Sequence, residues 1–217
     1  MGSLRQKIDL SEREFSVLIG TILGDAYVEQ YPKDARIGIM HSLKQKEFVN
    51  WKYEELKRFV KMKPMQSEYF GHRYGKKYFW WRFQTRRFPT FKQLADIFYD
   101  GRKKIIPRTI SQILTHPLAL AVWYMDDGGR RNDCHGMFLN TLSYSKQEQI
   151  RLQKCLLKNF GIHTRIHWIT DGFRLYIPTG DAKKFSSLIG PYIIPFMIYK
   201  LPYNPVTTES AGIWRRR

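Results

Sequence analysis

The chain of 217 residues has few cysteines and no long apolar segment. Cys134 and Cys155 are too few for a disulfide framework, and they lack the Cys-x2-Cys spacing of a zinc knuckle. The most apolar stretch is interrupted by Gly190, Pro191 and Pro195, so no run approaches the roughly 18 residues of a membrane-spanning helix. The N-terminus lacks the apolar core of a signal peptide. These absences predict an intracellular globular protein that does not bind membranes.

Acidic residues are also scarce relative to basic ones. There are 37 Lys and Arg against 19 Asp and Glu, which gives a net charge of +18. The basic residues are interleaved with Tyr, Trp, Phe and Gln along the whole chain, and no compact polybasic tail stands out. Such an excess is typical of a surface that binds an extended polyanion, and it favours nucleic acid over anionic lipid. Charge kept for solubility alone stays open as the other interpretation.

Two nonapeptides place an acid in the same position. The first, Leu18–Ala26, has Asp25 in its eighth place, and the second, Leu120–Gly128, has Asp127 there, 102 residues further on. The second contains Tyr-Met-Asp-Asp, which also occurs in the palm of reverse transcriptases. There it forms a turn between two strands, whereas here it ends a helical pattern that begins at Pro117, so the polymerase interpretation fails.

Further matches follow in the same order in both halves. Lys-Gln pairs recur, FKQLADIF (91–98) aligns with FSSLIGPY (185–192), and KKIIP (103–107) is followed in the second half by YKLP (199–202). The chain is therefore predicted to consist of two related halves, 11–100 and 117–205, joined by a linker, 101–116.

Local patterns predict the order α-β-β-α-β-β-α in each half, which is an α+β fold. Ser11 with Glu14 forms a capping box, and apolar residues then recur at helical spacing. Strands are predicted at 35–41 and 135–144. A hairpin is predicted in each half, at 66–85 with a Gly-Lys-Lys turn and at 163–177 with Asp171-Gly172 as the turn.

One face of these strands is predicted to bind DNA. Arg82 and Gln84 alternate with Trp81 and Phe83, and the hairpin of the second half alternates in the same way. A solvated face of a half-buried sheet is the alternative interpretation. Side chains of these types contact base edges in the major groove. The candidate DNA-binding residues are Arg36, Arg73, Lys76, Lys77, Arg82, Gln84, Arg130, Asn132, Arg165, His167, Arg174 and Tyr176.

The acids lie where a helix tolerates them poorly. Gly20 and Gly24 are predicted to lie inside the first helix, which suggests that something approaches this helix closely. Asp25 follows at its C-terminal end, where the macrodipole disfavours an anion. If the two motif helices pack together about a pseudo-twofold axis, Asp25 and Asp127 project side by side. Two nearby carboxylates repel unless a hard cation neutralises them, and oxygen ligands suit Mg²⁺.

The paired motifs, with ILGDAY, KKIIP, WYMDDGG and YKLP, resemble a single-chain LAGLIDADG homing endonuclease over nearly the whole chain, from Ser11 to Pro205. The resemblance implies two αββαββα halves with their LAGLIDADG helices at the interface. Two antiparallel sheets would then form a saddle over the major groove of double-stranded DNA. It also implies a monomer that cuts both strands of a long asymmetric site and leaves short 3′ overhangs.

The resemblance further implies a set of active-site residues. Two or three Mg²⁺ ions would be bound by Asp25, Asp127 and the backbone carbonyls just before them, with Mn²⁺ or Ca²⁺ as substitutes for binding. These carbonyls belong to Gly24 and Asp126. The family's lysines fall on Lys104 and Lys200, with phosphate-facing or solvated lysines as the alternative. Members of the family often have a polar residue on the strand after the motif. This residue is Asn140 in the second half, but the matching residue in the first half is Met40, so the two sites should be unequal.

Two other functions stay open at this point. LAGLIDADG proteins also assist the splicing of group I introns, so intron RNA is an alternative partner. A DNA-binding regulator on the same scaffold would not need Asp25 and Asp127, so the presence of both acids argues against this function. The resemblance to the family also implies a location in an organelle or in a bacterial or archaeal cytoplasm.

Overall fold

The computed structural model describes residues 9–71 and 75–203, and the chain divides into two compact units between Lys103 and Lys104. This division falls inside the predicted linker, 101–116. The linker contains a short helix, Ile110–Ile113, which the sequence patterns had not indicated. Positions 204 and 205, the predicted end of the second half, lie outside the described residues.

Each unit contains the order helix, two strands, helix, two strands, helix, which confirms the predicted α+β fold. A short strand, Tyr99–Asp100, follows this order in the first unit, and the short helix Ile110–Ile113 precedes it in the second. The first unit contains α1 (Glu12–Leu23), β1 (Tyr27–Gln30), β2 (Ala35–Ser42), α2 (Lys46–Leu56), β3 (Met65–Gly71), β4 (Lys76–Gln84), α3 (Pro89–Phe98) and β5 (Tyr99–Asp100). At the junction lies β6 (Lys103–Lys104). The second unit contains α4 (Ile110–Ile113), α5 (Pro117–Asp127), β7 (Gly128–Arg130), β8 (Met137–Leu139), α6 (Lys146–Phe160), β9 (Arg165–Ile169), β10 (Gly172–Ile177) and α7 (Thr179–Ile189).

Each unit is built around one antiparallel sheet that is covered by helices on a single face. The strand orders are β1-β2-β4-β3 and β7-β8-β10-β9. In the first sheet Ile39 pairs with Phe83, and both side chains are buried beneath α2. In the second sheet Leu139 pairs with Leu175, and both are fully buried. Since successive strand residues point to opposite faces, the other face of each sheet carries the alternating polar residues.

The helix starts follow the local signals. The predicted capping box of Ser11 and Glu14 is confirmed at α1. At α5 the Nδ1 atom of His116 accepts a hydrogen bond from the backbone N–H of Leu118, and Pro117 occupies the first turn. In the described residues no helix has both the length and the apolar character required to cross a bilayer.

The second strand after the motif in the second unit is shorter than predicted. The sequence suggests a strand over 135–144, but β8 covers only Met137–Leu139. The side-chain amide of Gln149 donates to the backbone carbonyl of Thr141 at 2.7 Å, and the Thr141 hydroxyl donates back to Gln149. These bonds turn the chain out of the sheet and into α6 before the strand can continue.

Both predicted turns lie close to their expected positions but differ in detail. Gly172 begins β10 with φ 140°, so the turn residues are Thr170 and Asp171 rather than Asp171 and Gly172. Gly75 has φ 57°, whereas Lys76 and Lys77 already belong to β4. Gly24 also differs from its predicted place, because it caps α1 instead of lying inside it.

A buried carboxylate connects the start of α6 to the segment that precedes α4. Ser145 and Glu148 form a second capping box, in which the Glu148 carboxylate accepts from Ser145. The other carboxylate oxygen accepts a hydrogen bond of 2.9 Å from the buried backbone N–H of Ile106. One side chain therefore satisfies both a helix end and a buried loop donor.

Replacing this carboxylate should destabilise the protein strongly. Glu148→Ala should lower the free energy of unfolding by about 2 to 4 kcal/mol, because it removes a cap and leaves the Ile106 N–H buried without its acceptor. Urea denaturation followed by circular dichroism measures the change. Ser11→Ala at the exposed box is the matched control and should cost about 1 kcal/mol. Equal losses for the two variants would contradict the assignment.

Candidate functional site

The first motif ends in a carboxylate that projects from the end of a buried helix. Residues from Ser16 to Leu23 of α1 are all buried, Gly24 caps the helix, and Asp25 follows with its side chain 49% exposed. The carboxylate is thus carried by a rigid element, yet it remains accessible to a ligand.

His41 lies behind this carboxylate and was not identified from the sequence. Its Nδ1 atom is 3.6 Å from Oδ2 of Asp25, and its ring packs against Phe48 with the centroids 5.5 Å apart. The side chain is almost fully buried. The alternation in β2 puts His41 on the same face as the buried Ile37 and Ile39, and a histidine on an apolar face was the available signal.

The second motif acid, Asp127, is held from two sides. The indole N–H of the buried Trp123 donates to its carboxylate at 3.1 Å. The backbone N–H of Asn140 donates to its carbonyl at 3.0 Å, so Asn140 lies directly opposite Asp127. Continuing the β1–β2 register past the end of β1 puts Met40 opposite Asp25. The predicted match of Asn140 with Met40 is thus consistent with the strand pairing.

A glycine is required directly after Asp127. A Cβ atom on Gly128 would lie 2.1 Å from Cδ2 of Tyr124, so no larger residue fits unless the ring moves. The chain can therefore turn from α5 into β7 within one residue, which keeps the Asp127 carboxylate at the junction of helix and strand.

Lys200 is hydrogen-bonded to the C-terminal end of α5. Its ammonium group donates to the backbone carbonyls of Met125, at 2.6 Å, and Asp126, at 3.0 Å. The hydroxyl of Tyr124 donates in return to the Lys200 carbonyl at 2.7 Å. A cation at this position neutralises the negative end of the helix macrodipole and donates to two of its last carbonyls, each of which keeps a second lone pair. Lys104 is half-buried in β6.

The open face of the first sheet combines cations with large apolar side chains. Arg82 on β4 pairs with Met40 on β2 and with Met65 on β3, so these three side chains share one face. Gln84 donates to the hydroxyl of Tyr27 on this face. Arg36 also lies there, and it forms an ion pair of 2.7 Å with Glu29.

The open face of the second sheet combines arginines with aromatic rings. His167 stacks on Tyr176 with the ring centroids 4.7 Å apart, and Arg174 lies over Phe138. Arg165 pairs with Tyr176 and so shares this face. Burial lowers the pKa of His167, and the nearby guanidinium groups of Arg174, Arg131 and Arg165 lower it further.

The strand registers do not put every predicted DNA-binding residue on an open face. Lys77 pairs with Phe70 on the helix side of its sheet, and its ammonium is 3.7 Å from Glu68, whereas Lys76 belongs to the open face. Arg130 pairs with the buried Met137, which likewise assigns it to the helix side. Asn132 is exposed in the loop after β7, and Arg73 lies outside the described residues.

Comparison with known proteins identifies relatives along almost the whole chain. A model of the LAGLIDADG DNA endonuclease family matches residues 15–185. The "Probable intron-encoded endonuclease 1" of Wickerhamomyces canadensis is 31% identical over 206 residues, which cover 92% of this chain and 88% of that protein. The cytochrome b mRNA maturase bI2 of Debaryomyces hansenii is 33% identical over 122 residues, 55% of this chain and 45% of the maturase.

A solved structure agrees with the fold over the same extent. The homing endonuclease I-WcaI, bound to its DNA recognition sequence, is similar with a TM-score of 0.84 and 30% sequence identity. The match covers 90% of this chain and 88% of I-WcaI.

The contacts of Lys200 predict a structural contribution that does not depend on DNA. Lys200→Met should lower the free energy of unfolding by about 1.5 to 3 kcal/mol, because it removes two charge-assisted hydrogen bonds to carbonyls at the end of α5. Tyr124→Phe, which removes only the bond to the Lys200 carbonyl, is the control and should cost about 1 kcal/mol. Thermal and urea unfolding measure both, and an unchanged stability in Lys200→Met would contradict the helix-end role.

Proposed function

The chain belongs to the LAGLIDADG DNA endonuclease family, and on that basis we propose that it is a homing endonuclease that recognises and cuts a specific site in double-stranded DNA. The observation that carries the proposal is the similarity to a DNA-bound homing endonuclease over 90% of the chain. The two motif acids and the basic sheet faces supply the chemistry that this function needs.

DNA binding is assigned to the open faces of the two sheets. Duplex DNA is a regular polyanion, and the net charge of +18 favours it before any specific contact forms. Arg82 and Gln84 on the first face, and Arg165, His167 and Arg174 on the second, are of the types that contact base edges in the major groove. We assign them to base recognition, and the lysines and arginines around them to phosphate contacts.

Cleavage is assigned to the motif ends. Asp25 and Asp127 would each provide a carboxylate oxygen, with carbonyl oxygens at Gly24 and Asp126, and this all-oxygen donor set fits Mg²⁺. When bound, Mg²⁺ supplies electrostatic stabilisation for the charge that develops on the scissile phosphate. The 3.1 Å bond from the Trp123 indole orients the Asp127 carboxylate toward this role.

The remaining site residues are proposed to support these acids. Asn140, opposite Asp127, is suited to hydrogen-bond water near the scissile bond, and the apolar Met40 at the matching position makes the two sites unequal. Lys200 holds the end of α5 in position. Lys104 is assigned to the corresponding place in the first copy. We further propose that the protein acts as a monomer inside the cell and cuts both DNA strands, leaving short 3′ overhangs.

RNA splicing is the second candidate function. The similarity to a cytochrome b mRNA maturase covers 55% of this chain and favours a related contribution to intron RNA. Both motif acids are present here, and splicing assistance does not use them for hydrolysis, so cleavage of DNA remains the first assignment.

An unbiased cleavage selection tests the main assignment. The purified protein is incubated with a randomised duplex library and Mg²⁺, and the cut products are sequenced. We expect one long asymmetric site, cut in both strands and left intact when EDTA removes the metal. An absence of cleavage, together with faster splicing of an intron RNA, would favour the maturase.

The two adjacent aspartates give a sharper test of the site. Asp127→Asn and Asp25→Asn should abolish double-strand cleavage and leave the Kd for the selected site within about threefold, because they remove a metal ligand but not a DNA contact. Asp126→Asn, one residue away, should keep activity within about tenfold. Plasmid cleavage and Ca²⁺-supported binding measure both effects. The opposite order of Asp126 and Asp127 would overturn the motif alignment.

The two sheet faces make another test possible. Arg174→Ala, on the open face, should weaken DNA binding about tenfold or more and relax the base preference, while the salt dependence of binding stays nearly unchanged. Arg130→Ala, on the helix side by register, is the matched control and should change the Kd less than threefold. Fluorescence anisotropy at several salt concentrations measures both. Similar losses for the two variants would contradict the assignment of the open face.

A further inference from the structure

Three side chains form a row across the first sheet. Arg82 on β4 lies directly opposite Met40 on β2 and Met65 on β3, so the guanidinium has a methionine on either side. The two methionines, Met40 and Met65, are apolar but are 39% and 47% exposed, because they lie on the open face of the sheet. A row of this kind covers two strand spacings, about 10 Å, which is roughly three base-pair steps of DNA.

The surroundings of the row define the chemistry of its partner. Met65 and Arg82 line a shallow cleft of about 220 Å³. The other ionisable groups in the lining are all cations, namely Arg36, Lys61, Lys63 and Arg86. Thioethers among cations match a partner that is a polyanion and also displays small apolar groups. Double-stranded DNA has this combination where the C5 methyl groups of thymine project into the major groove.

The second sheet differs at the corresponding face. Its side chains there are Arg165, His167, Arg174 and Tyr176, with Phe138 covered by the Arg174 guanidinium. Exposed thioethers are absent from the described residues of β7 to β10, where the only methionine is the buried Met137. The two faces therefore present different chemical groups to a partner.

From this difference we propose that the sheet of the first unit recognises thymine methyl groups in its half of the target. Met40 and Met65 contact the methyl groups, and Arg82 donates to a guanine between or beside those thymines. The half contacted by the second sheet is recognised through hydrogen bonds from its arginines and is insensitive to the methyl groups. This proposal rests on the proposed DNA binding, and it specifies which base-pair edges the first unit recognises.

Deoxyuridine substitution tests the proposal because it removes only the methyl group of thymine. Two versions of the selected target are prepared, each with deoxyuridine in place of every thymine of one half. Binding is measured by fluorescence anisotropy with Ca²⁺ in place of Mg²⁺. For wild-type protein we expect one substituted half to raise the Kd about fourfold for each methyl group contacted. The other substituted half should leave the Kd unchanged.

A variant links that sensitivity to the row. The double change Met40→Ala with Met65→Ala should bind normal and substituted targets equally, because the side chains that contact the methyl groups are gone. Leu157→Ala, on α6 and 47% exposed like Met65, is the matched control and should keep the full sensitivity. Met40→Leu with Met65→Leu, which keeps apolar contact, should retain most of it.

The outcomes separate the two proposals. Sensitivity in one half that disappears in the alanine variant supports methyl recognition by the row. Equal binding of wild type to both substituted targets, or sensitivity that persists in the alanine variant, overturns it while DNA recognition stands. If no duplex is bound specifically by wild type, the proposed function itself fails.

Discussion

The pairing register of the central strands determines both the core and the open face of each unit. In the first sheet Ile39 pairs with Phe83 beneath α2, and the next pair along, Met40 with Arg82, lies on the open face. A shift of one residue would bury the arginine and expose the phenylalanine. Burial of apolar area drives the register, and the positions of the polar side chains follow from it. Core packing and the composition of the open face, to which we assign DNA binding, are therefore coupled through the same backbone hydrogen bonds.

Features that depend on local sequence were predictable, and features that depend on tertiary pairing were not. The capping box at Ser11 and the Pro117 helix start were found because their signals lie within one turn. The early end of β8 was missed because it depends on Gln149, which reaches back from α6. The helix-side positions of Lys77 and Arg130 required the register of partner strands.

The two copies of the motif surround their acids differently. Asp25 has an imidazole nitrogen of His41 at 3.6 Å, a group that can carry charge, whereas Asp127 accepts from an indole that always remains neutral. His41 lies on β2, outside the first nonapeptide, whereas Trp123 is the fourth residue of the second nonapeptide, where the first has Thr21. Both acids stand at the end of a motif helix, but the residues that contact them differ, so the electrostatic surroundings of the two carboxylates are not equivalent.

The bond from Trp123 to Asp127 has a consequence for spectroscopy. The indole is fully buried, so solvent does not quench or shift its emission directly. A change of charge on the carboxylate, by proton uptake or by a bound cation, alters the electric field across the ring and hence its emission wavelength. The second motif thus contains an intrinsic optical probe of its own charge state, whose signal can be isolated by comparison with a Trp123→Phe protein.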